Sequence, residues 1–489
     1  MNNVPIHEIL AITIIVIDWL IRVTAILVVP RNRRPNSAIA WLMLIFILPT
    51  AGMAAFLLIG NPKLPRHRRD AQRILDEAIS KVMRKLESNN KGEQLIGVEP
   101  PIKYRNQAIL NEALSHLPVC SGNQLDAITA YDGAITRMIR DIDAAEHFVY
   151  VEYFIMCLDI DTTPFFDALA RAVKRGVTVR VLYDDFSTRR YPGWRRMLQF
   201  FRNENIEAIG MLPLRLPGMG YVRPDLRNHR KIVIIDGRVG YTGSQNLITR
   251  NYHRKDNLYY DELVMRIEGP GAVQLAAVFM TDWHMETGTL PDMRQFNKRL
   301  LLQRAGNSDL QILPSGPGYD DENNLKLFTS LLYQAQSSVT IVNPYFVPDE
   351  ALSMALICAA RRGVIVTIVN SEAMDQWMVG HAQRSFYEEM LRVGVAIYLY
   401  KSPILLHSKF MIVDNDAAVF GSSNMDIRSF LLDLEVSLVL YDPTVVKRLK
   451  KVSASYIGRS KRIDLHEWRL RPFRKVLLDN IARLTSALQ

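Results

Sequence analysis

The chain has 489 residues, 48% of them hydrophobic, with 60 Lys and Arg against 50 Asp and Glu and a formal net charge of +10. It is too long for one typical domain and can bury a large core, while the basic excess suits an anionic partner, either nucleic acid or acidic lipid. Three widely spaced cysteines (Cys120, Cys157, Cys358) carry no pairing or metal-ligand pattern, which argues against a disulfide framework and for a reducing compartment.

Residues 9–29 and 39–59 are apolar stretches of 21 residues each, the first broken only by Asp18 and Arg22. Crossing the hydrocarbon layer as a helix takes about 20 residues, so each is long enough. No basic residue precedes the first stretch and a second follows at once, unlike a cleaved signal peptide. The expectation is a two-helix membrane hairpin over residues 1–62. Asp18 and Arg22, four apart, share a helix face and neutralise each other. Arg31, Arg33 and Arg34 in the turn and Lys63, Arg66, Arg68 and Arg69 beyond the second stretch make both flanks basic. The positive-inside rule then gives no orientation, unless the hairpin is shallow and does not fully cross.

Residues 63–105 form a basic segment with a helical stripe (Ile74, Leu75, Ile79, Val82, Met83, Leu86), suited to the membrane surface or to packing on the domain that follows. Pro100 and Pro101 mark a boundary. Beyond it, a strand at 147–156, a helix at 165–175 ending at Gly176 and a strand at 177–183 return as a strand at 338–347, a helix at 350–362 ending at Gly363 and a strand at 364–369. Arg-Gly-Val-Thr-Val-Arg-Val at 175–181 and Arg-Gly-Val-Ile-Val-Thr-Ile at 362–368 are visibly one segment twice. The rhythm implies an α/β fold of two similar βαβ halves, 106–300 and 301–489, with facing sheets under covering helices. A long loop at 187–227 is expected either to flank the site entrance or to be a plain surface insertion.

His229, Lys231 and Asp236 form a His-x-Lys-x(4)-Asp motif followed by Gly243, Ser244 and Asn246. His407, Lys409 and Asp414, followed by Gly421, Ser422 and Asn424, repeat it 178 residues later. On a strand, residues i and i+2 face one side, so each His and Lys point together into a site. Gly-Ser-x-Asn reads as a tight turn entering a helix, whose N–H groups, hydroxyl and amide donate to phosphate oxygens. Two facing halves would set two imidazoles, two ammonium groups and two amides around one phosphodiester, performing a metal ion's task with fixed charge. No metal-ligand spacing appears, so neither metal nor cofactor is expected.

These paired motifs resemble those of the phospholipase D superfamily. Together with the apolar hairpin (Ser37–Leu42, Leu48-Pro49, Leu58–Pro62) they resemble bacterial cardiolipin synthases over nearly the whole chain. The resemblance implies transfer of a phosphatidyl group between two phosphatidylglycerol molecules through a phosphatidyl-histidine, with His229 as nucleophile and His407 as acid and base. It also implies phosphate contacts from Lys231, Lys409, Asn246 and Asn424, with Ser244 and Ser422 in support. A nucleophilic imidazole needs its other nitrogen fixed. Glu262 and Glu435, each on the strand after its motif, are the candidates, with Asp261 as an alternative to Glu262. Partners are anionic phospholipids and the plasma membrane, the catalytic part being cytoplasmic; a homo-oligomer is left open.

Asp236 and Asp414, though part of the motifs, sit at strand ends as ion-pair or turn residues. His147, His253, His284 and His381 are expected to be structural. Glu152, Tyr153, Asn343 and Tyr345 either line the pocket or pack the core. The basic and apolar run 468–478 either meets anionic head groups or closes the second half. Water or another alcohol as acceptor would give a phospholipase D or a phosphatidylserine-type synthase from the same site. A nucleic-acid enzyme lacks support, for there is no dense Lys/Arg stripe with interleaved aromatics.

Overall fold

A computed structural model describes residues 6–31, 33–88, 94–215, 220–252, 258–290 and 303–486; His253 and the 300/301 boundary between the halves lie outside them. The chain divides into two compact units, Met1–Lys63 and Leu64–Gln489.

In the first unit, helix Ile6–Val28 takes up the first apolar stretch. Its 22-residue portion His7–Val28 is long and apolar enough to cross a membrane. The second stretch is not one helix, contrary to expectation. Pro49 removes an N–H and drives Leu48 out of the helical region (φ −130°, ψ 78°), so two helices form, Pro35–Ile47 and Pro49–Ile59. At about 20 and 17 Å each is too short to cross alone. They fold back on each other. Trp41 and Phe56 meet edge to face with centroids 5.5 Å apart, and a side chain on Gly52 would lie 2.8 Å from the Ile45 Cα. Arg33 lies 4.7 Å over the Phe56 ring and donates to the Gly60 carbonyl at 2.5 Å, a cation at a helix C-terminus. Arg22 lies over the Trp19 ring at 5.7 Å rather than against Asp18.

The second unit is the α/β repeat. In its first half, Phe148–Tyr153 pairs in parallel with Thr178–Asp184, which pairs with Glu207–Met211, and antiparallel with Lys231–Ile235. In its second half, Ser338–Val342 pairs in parallel with Ile365–Ser371, which pairs with Ala396–Tyr400, and antiparallel with Phe410–Val413. Each motif strand thus lies beside the first strand of its own βαβ unit. The two mixed sheets join through the antiparallel pair Cys120–Ile128 and Ser308–Ser315 into one continuous path. Helices Thr163–Lys174 and Glu350–Arg361 cover them, burying Phe165, Phe166 and Leu169 in one case and Leu352, Leu356 and Ala359 in the other. Gly176 and Gly363 follow at φ +88° and +89°, the left-handed conformation that ends a helix most easily at glycine.

Helix Arg66–Ser88 packs on this unit. Leu75, Met83 and Leu86 are buried, though Ile74 and Val82 stay exposed, and Arg68 is ion-paired with Glu286 of helix Pro270–Thr287. The 187–227 stretch is not a long loop: helix Trp194–Asn203 and strand Glu207–Met211 occupy much of it. Its apolar residues made helix and strand, and among the described residues 212–215 and 220–226 lie outside both.

Arg230, between His229 and Lys231 in sequence, points to the opposite face and is 1% exposed. It is ion-paired with Asp282 of the first half and donates to the carbonyls of Glu435 (3.0 Å) and Ser315 (3.3 Å) of the second. Replacing it by Ala strands a buried carboxylate and should destabilise the unit by about 3–5 kcal/mol. A thermal melt in detergent reads this; an unchanged Tm would mean that this contact does not hold the halves together.

Candidate active site

The two motif histidines hang at the seam between the halves. His229 follows the short strand Arg227–Asn228, which pairs with Asp433–Leu434 of the second half. Its N–H donates to the Leu434 carbonyl at 2.9 Å. His407 follows Ile404–Leu406, which pairs with Tyr259–Asp261 of the first half, and its N–H donates to the Asp261 carbonyl at 2.8 Å. The carboxylates complete a crossed arrangement. His229 Nδ1 lies 2.9 Å from Glu435 Oε1, and His407 Nδ1 lies 2.9 and 3.0 Å from the two oxygens of Glu262. Each glutamate serves the histidine of the other half, not that of the motif it follows. Asp261 is not the partner, because its carboxylate accepts the Tyr400 hydroxyl at 2.9 Å. A carboxylate at Nδ1 keeps the proton there and leaves Nε2 as the reactive nitrogen.

Lys231 and Lys409 are each 2% exposed. Each ammonium donates to the carbonyl of its own histidine, at 2.6 and 2.7 Å respectively. The serines act differently from the expectation that they contact phosphate. Ser422 donates to Glu435, which also accepts from Ser429 at 2.9 Å. Ser244 accepts the Leu263 N–H at 2.9 Å and donates to the Leu263 carbonyl at 3.2 Å, next to Glu262 in the chain. Ser422 therefore holds the carboxylate that holds His229, while Ser244 fixes the backbone beside the carboxylate that holds His407. The preceding glycines explain the turn: a Cβ on Gly243 or Gly421 would lie 2.3 Å from the carbonyl of Leu263 or Val436, the residues directly after Glu262 and Glu435. No helix begins at Asn246, and in the second half helix Ile427–Leu431 starts only after Asn424, so the expected helix N-terminus does not serve this site. Asn246 and Asn424 are buried with their Oδ1 atoms unpartnered, and Asn246 donates to the Tyr252 hydroxyl at 3.3 Å.

The motif aspartates stand apart from this cluster, at the far ends of the motif strands. Asp236 and Asp414 adopt φ +53° and +51°. Asp236 accepts the N–H groups of Glu146, His147 and Phe148, each at 2.8 Å. Asp414 accepts those of Gln336, Ser337 and Ser338 at 2.7 to 2.9 Å. Each ties the start of its βαβ unit to the motif strand, so they do not join the histidines. Glu152 is buried behind the site, accepting from Asn228 at 2.8 Å; Tyr153 packs in the core near Met138; Asn343 braces the Ser423–Met425 turn. The sequence reading missed the aromatic surround of His407. Tyr260 meets its ring edge-on at 5.4 Å and stacks on Tyr252 at 4.2 Å. Asp375 accepts the hydroxyls of Tyr345 (2.7 Å) and Tyr260 (3.1 Å). On the other side Phe154 meets His229 at 4.7 Å. The adjacent tyrosines 259 and 260 just before Glu262 were the available signal.

Electrostatics differ between the two sides. Burial lowers the His229 pKa well below its ordinary value, and the charges of Lys231 and Lys409 add to that. Burial also lowers His407, with Glu262 pulling the other way. Burial raises Glu435 to about 7, against Lys231, Ser422 and Ser429. For Glu262 burial is outweighed by His407 and Lys409, and the group falls to about 2. Burial lowers Lys231 to about 8, and burial with the charge of Lys231 lowers Lys409 to about 7. Among the described residues no group of three or more His, Cys, Asp and Glu is placed to hold a metal ion.

Two half-sites crossed over one seam, each with His, Lys and a carboxylate, define a phospholipase D-like enzyme. The family model described as "Cardiolipin synthase, PLD-like domain" matches residues 138–283 and 328–456. Cardiolipin synthase A of Pectobacterium carotovorum is 32% identical over 470 residues, covering 94% of each chain. Cardiolipin synthase A of Serratia proteamaculans is 32% identical over 452 residues, covering 91% of each. The solved phosphatidylserine synthase of Haemophilus influenzae shares the fold, with a TM-score of 0.59 and 16% identity over 78% of this chain and 99% of that one. The chain belongs to the cardiolipin synthase family with phospholipase D-like domains, a family of membrane-associated phosphatidyltransferases acting on phospholipids.

Both lysines lose their proton as pH rises through about 7 to 8 in the unliganded protein. If their charge holds the phosphate, kcat/KM falls on the alkaline side, and Lys409→Arg, which stays charged, moves that fall to higher pH. A flat alkaline profile would show that the charge is not used. Asp236→Ala removes three accepted hydrogen bonds and should lower stability by about 2–4 kcal/mol by chemical denaturation, while the folded fraction keeps its turnover.

Proposed function

We propose that this chain is a cardiolipin synthase that transfers a phosphatidyl group from one phosphatidylglycerol to a second, releasing glycerol, and that His229 is the nucleophile. The observation that carries the reading is the pair of His–carboxylate contacts crossed at one seam, each leaving an Nε2 free. A double displacement needs two such groups, one to bond phosphorus and one to move the proton. In the first step His229 Nε2 bonds to phosphorus, the bond from phosphorus to the glycerol oxygen breaks, and His407 gives that oxygen its proton. In the second step a hydroxyl of another phosphatidylglycerol gives its proton to His407 and bonds to phosphorus, and the phosphorus–nitrogen bond breaks. Lys231, Lys409, Asn246 and Asn424 hold the phosphoryl oxygens, and Ser244 and Ser422 act through Glu262 and Glu435.

The asymmetry of the two sides supports the order of roles. His229 is held neutral, as a nucleophile must be. His407 is lowered by burial too, but it faces a carboxylate that stays ionised down to about pH 2 and pulls the other way, a counter-ion for the imidazolium of a general acid. The domain organisation is a membrane segment to residue 62, a juxtamembrane segment to 105, and two halves, 106–300 and 301–489. The Ile6–Val28 helix crosses the plasma membrane. The folded-back pair Pro35–Ile47 and Pro49–Ile59 enters and returns on one side, which leaves both basic flanks, and the catalytic unit, in the cytoplasm.

Purified protein given labelled phosphatidylglycerol alone should yield cardiolipin and free glycerol, with or without EDTA. Phosphatidic acid as the product would make water the acceptor and overturn the synthase reading, and a strict divalent requirement would overturn the metal-free mechanism. Replacing either His229 or His407 by Ala should lower turnover on the order of 10³-fold or more. Phosphatidyl label should become trapped on the His407→Ala chain and not on His229→Ala; the reverse would exchange the two roles.

A further inference from the structure

The C-terminal helix Phe473–Arg483 is built inside out. The residues it buries are Asp479 and Ala482. Asp479 is held by His381 Nδ1 at 2.7 Å and by Arg471 at 2.8 Å. The apolar side chains face outward: Leu470 is 71% exposed, Phe473 76% and Leu484 85%, and Leu477, Leu478 and Ile481 are each 41% exposed or more. A helix that docks on its own domain ordinarily turns its apolar stripe inward, so this outward face is fitted to another apolar medium.

Charge identifies that medium. Residues 468–484 carry five basic residues and one acidic, and the acidic one is the buried Asp479. Arg474 and Lys475 are exposed within the apolar face, and among the described residues neither forms an ion pair. Apolar side chains interleaved with unneutralised cations fit the boundary between acyl chains and anionic head groups, where the stem is buried and the charge stays wet.

A run of contacts links the face to the site. Asp375, which accepts the Tyr260 and Tyr345 hydroxyls beside His407, is followed two residues later by the start of helix Trp377–Arg392. Trp377 is 61% exposed; its ring lies 4.4 Å from that of His381, the residue bonded to Asp479. A short run of contacts therefore leads from His407 through Asp375 and Trp377 to the C-terminal helix.

We propose that the outward face of Phe473–Arg483, with Trp377, is a docking surface for an anionic phospholipid bilayer, which seats the His407 side of the site against the membrane. The surface acts separately from the N-terminal helices and needs no turnover.

The test uses the full chain in lipid nanodiscs, with Cys358→Ser to remove the half-exposed thiol and an environment-sensitive dye on Leu477→Cys. Discs contain phosphatidylcholine alone or with phosphatidylserine, and a reference dye sits on exposed Lys174→Cys. In anionic discs, nitroxide-bearing lipids should quench the dye at 477 several-fold more than at 174, and aqueous iodide should quench it several-fold less. Arg474→Glu with Lys475→Glu should abolish that difference while leaving Tm unchanged. Iodide quenching at 477 equal to that at 174 would overturn the proposal in favour of a solvent-facing helix. Protection from both quenchers would overturn it in favour of contact with a second copy or another protein. Equal lipid quenching with and without phosphatidylserine would overturn the anionic assignment. Because the readout is fluorescence, a chain that makes no cardiolipin can still dock, and a chain that does not dock can still carry the proposed chemistry.

Discussion

The hydrogen bond between each histidine and the other half's glutamate is the constraint on which the candidate site rests. A half on its own would present an imidazole whose Nδ1 has no partner and a buried carboxylate without its imidazole, both costly in a dry interior. Crossing the partners makes the site a property of the seam. The backbone repeats the exchange, with Arg227–Asn228 paired to Asp433–Leu434 and Ile404–Leu406 paired to Tyr259–Asp261. Arg230 adds a buried charge-assisted contact across the same line. Chemistry and assembly are therefore coupled: what orients the imidazoles also holds the sheets together.

Around that seam the approximate symmetry is broken in a useful direction. Glu435, pressed upward by burial in spite of two serine hydroxyls that favour its charge, has less tendency to ionise than Glu262, which is secured by His407 and Lys409. The surroundings differ too, with tyrosines and Asp375 about His407 and Phe154 about His229. Such differences suit two histidines of identical motif to different proton states, the separation that acid and nucleophile require. On the His407 side, contacts lead outward through Asp375 and Trp377 to the exposed apolar C-terminal helix.

Much of this was legible in the residues. The doubled Arg-Gly-Val segments placed two βαβ units, because strand and helix periodicities and the closing glycines are local properties. The repeated His-x-Lys spacing marked two equivalent sites, although His229, His407 and Lys409 precede the strands of their motifs and do not lie in them. The first apolar stretch read correctly as one helix. The second did not, because hydrophobicity alone does not register that Pro49 lacks a donor and that Gly52 admits a close return of the chain. The 187–227 region misled in the opposite way: its Pro and Gly content suggested a loop, while Met197 and Phe201 had enough apolar surface to pin a helix to the core.

The sequence by itself determined the two half-sites, their repetition and the apolar N-terminus, each set by neighbours within a few residues. Only the tertiary structure decided which glutamate serves which histidine, that Ser422 holds a carboxylate and Ser244 the backbone beside one, and that Asp236 and Asp414 brace turns away from the site. Those outcomes depend on which residues meet across hundreds of positions of chain, as with His229 and Glu435, 206 apart. Local spacing carries no information about such a pairing. It is settled by which strands share an edge when the halves close, since a buried acceptor must take whichever donor the closed seam presents.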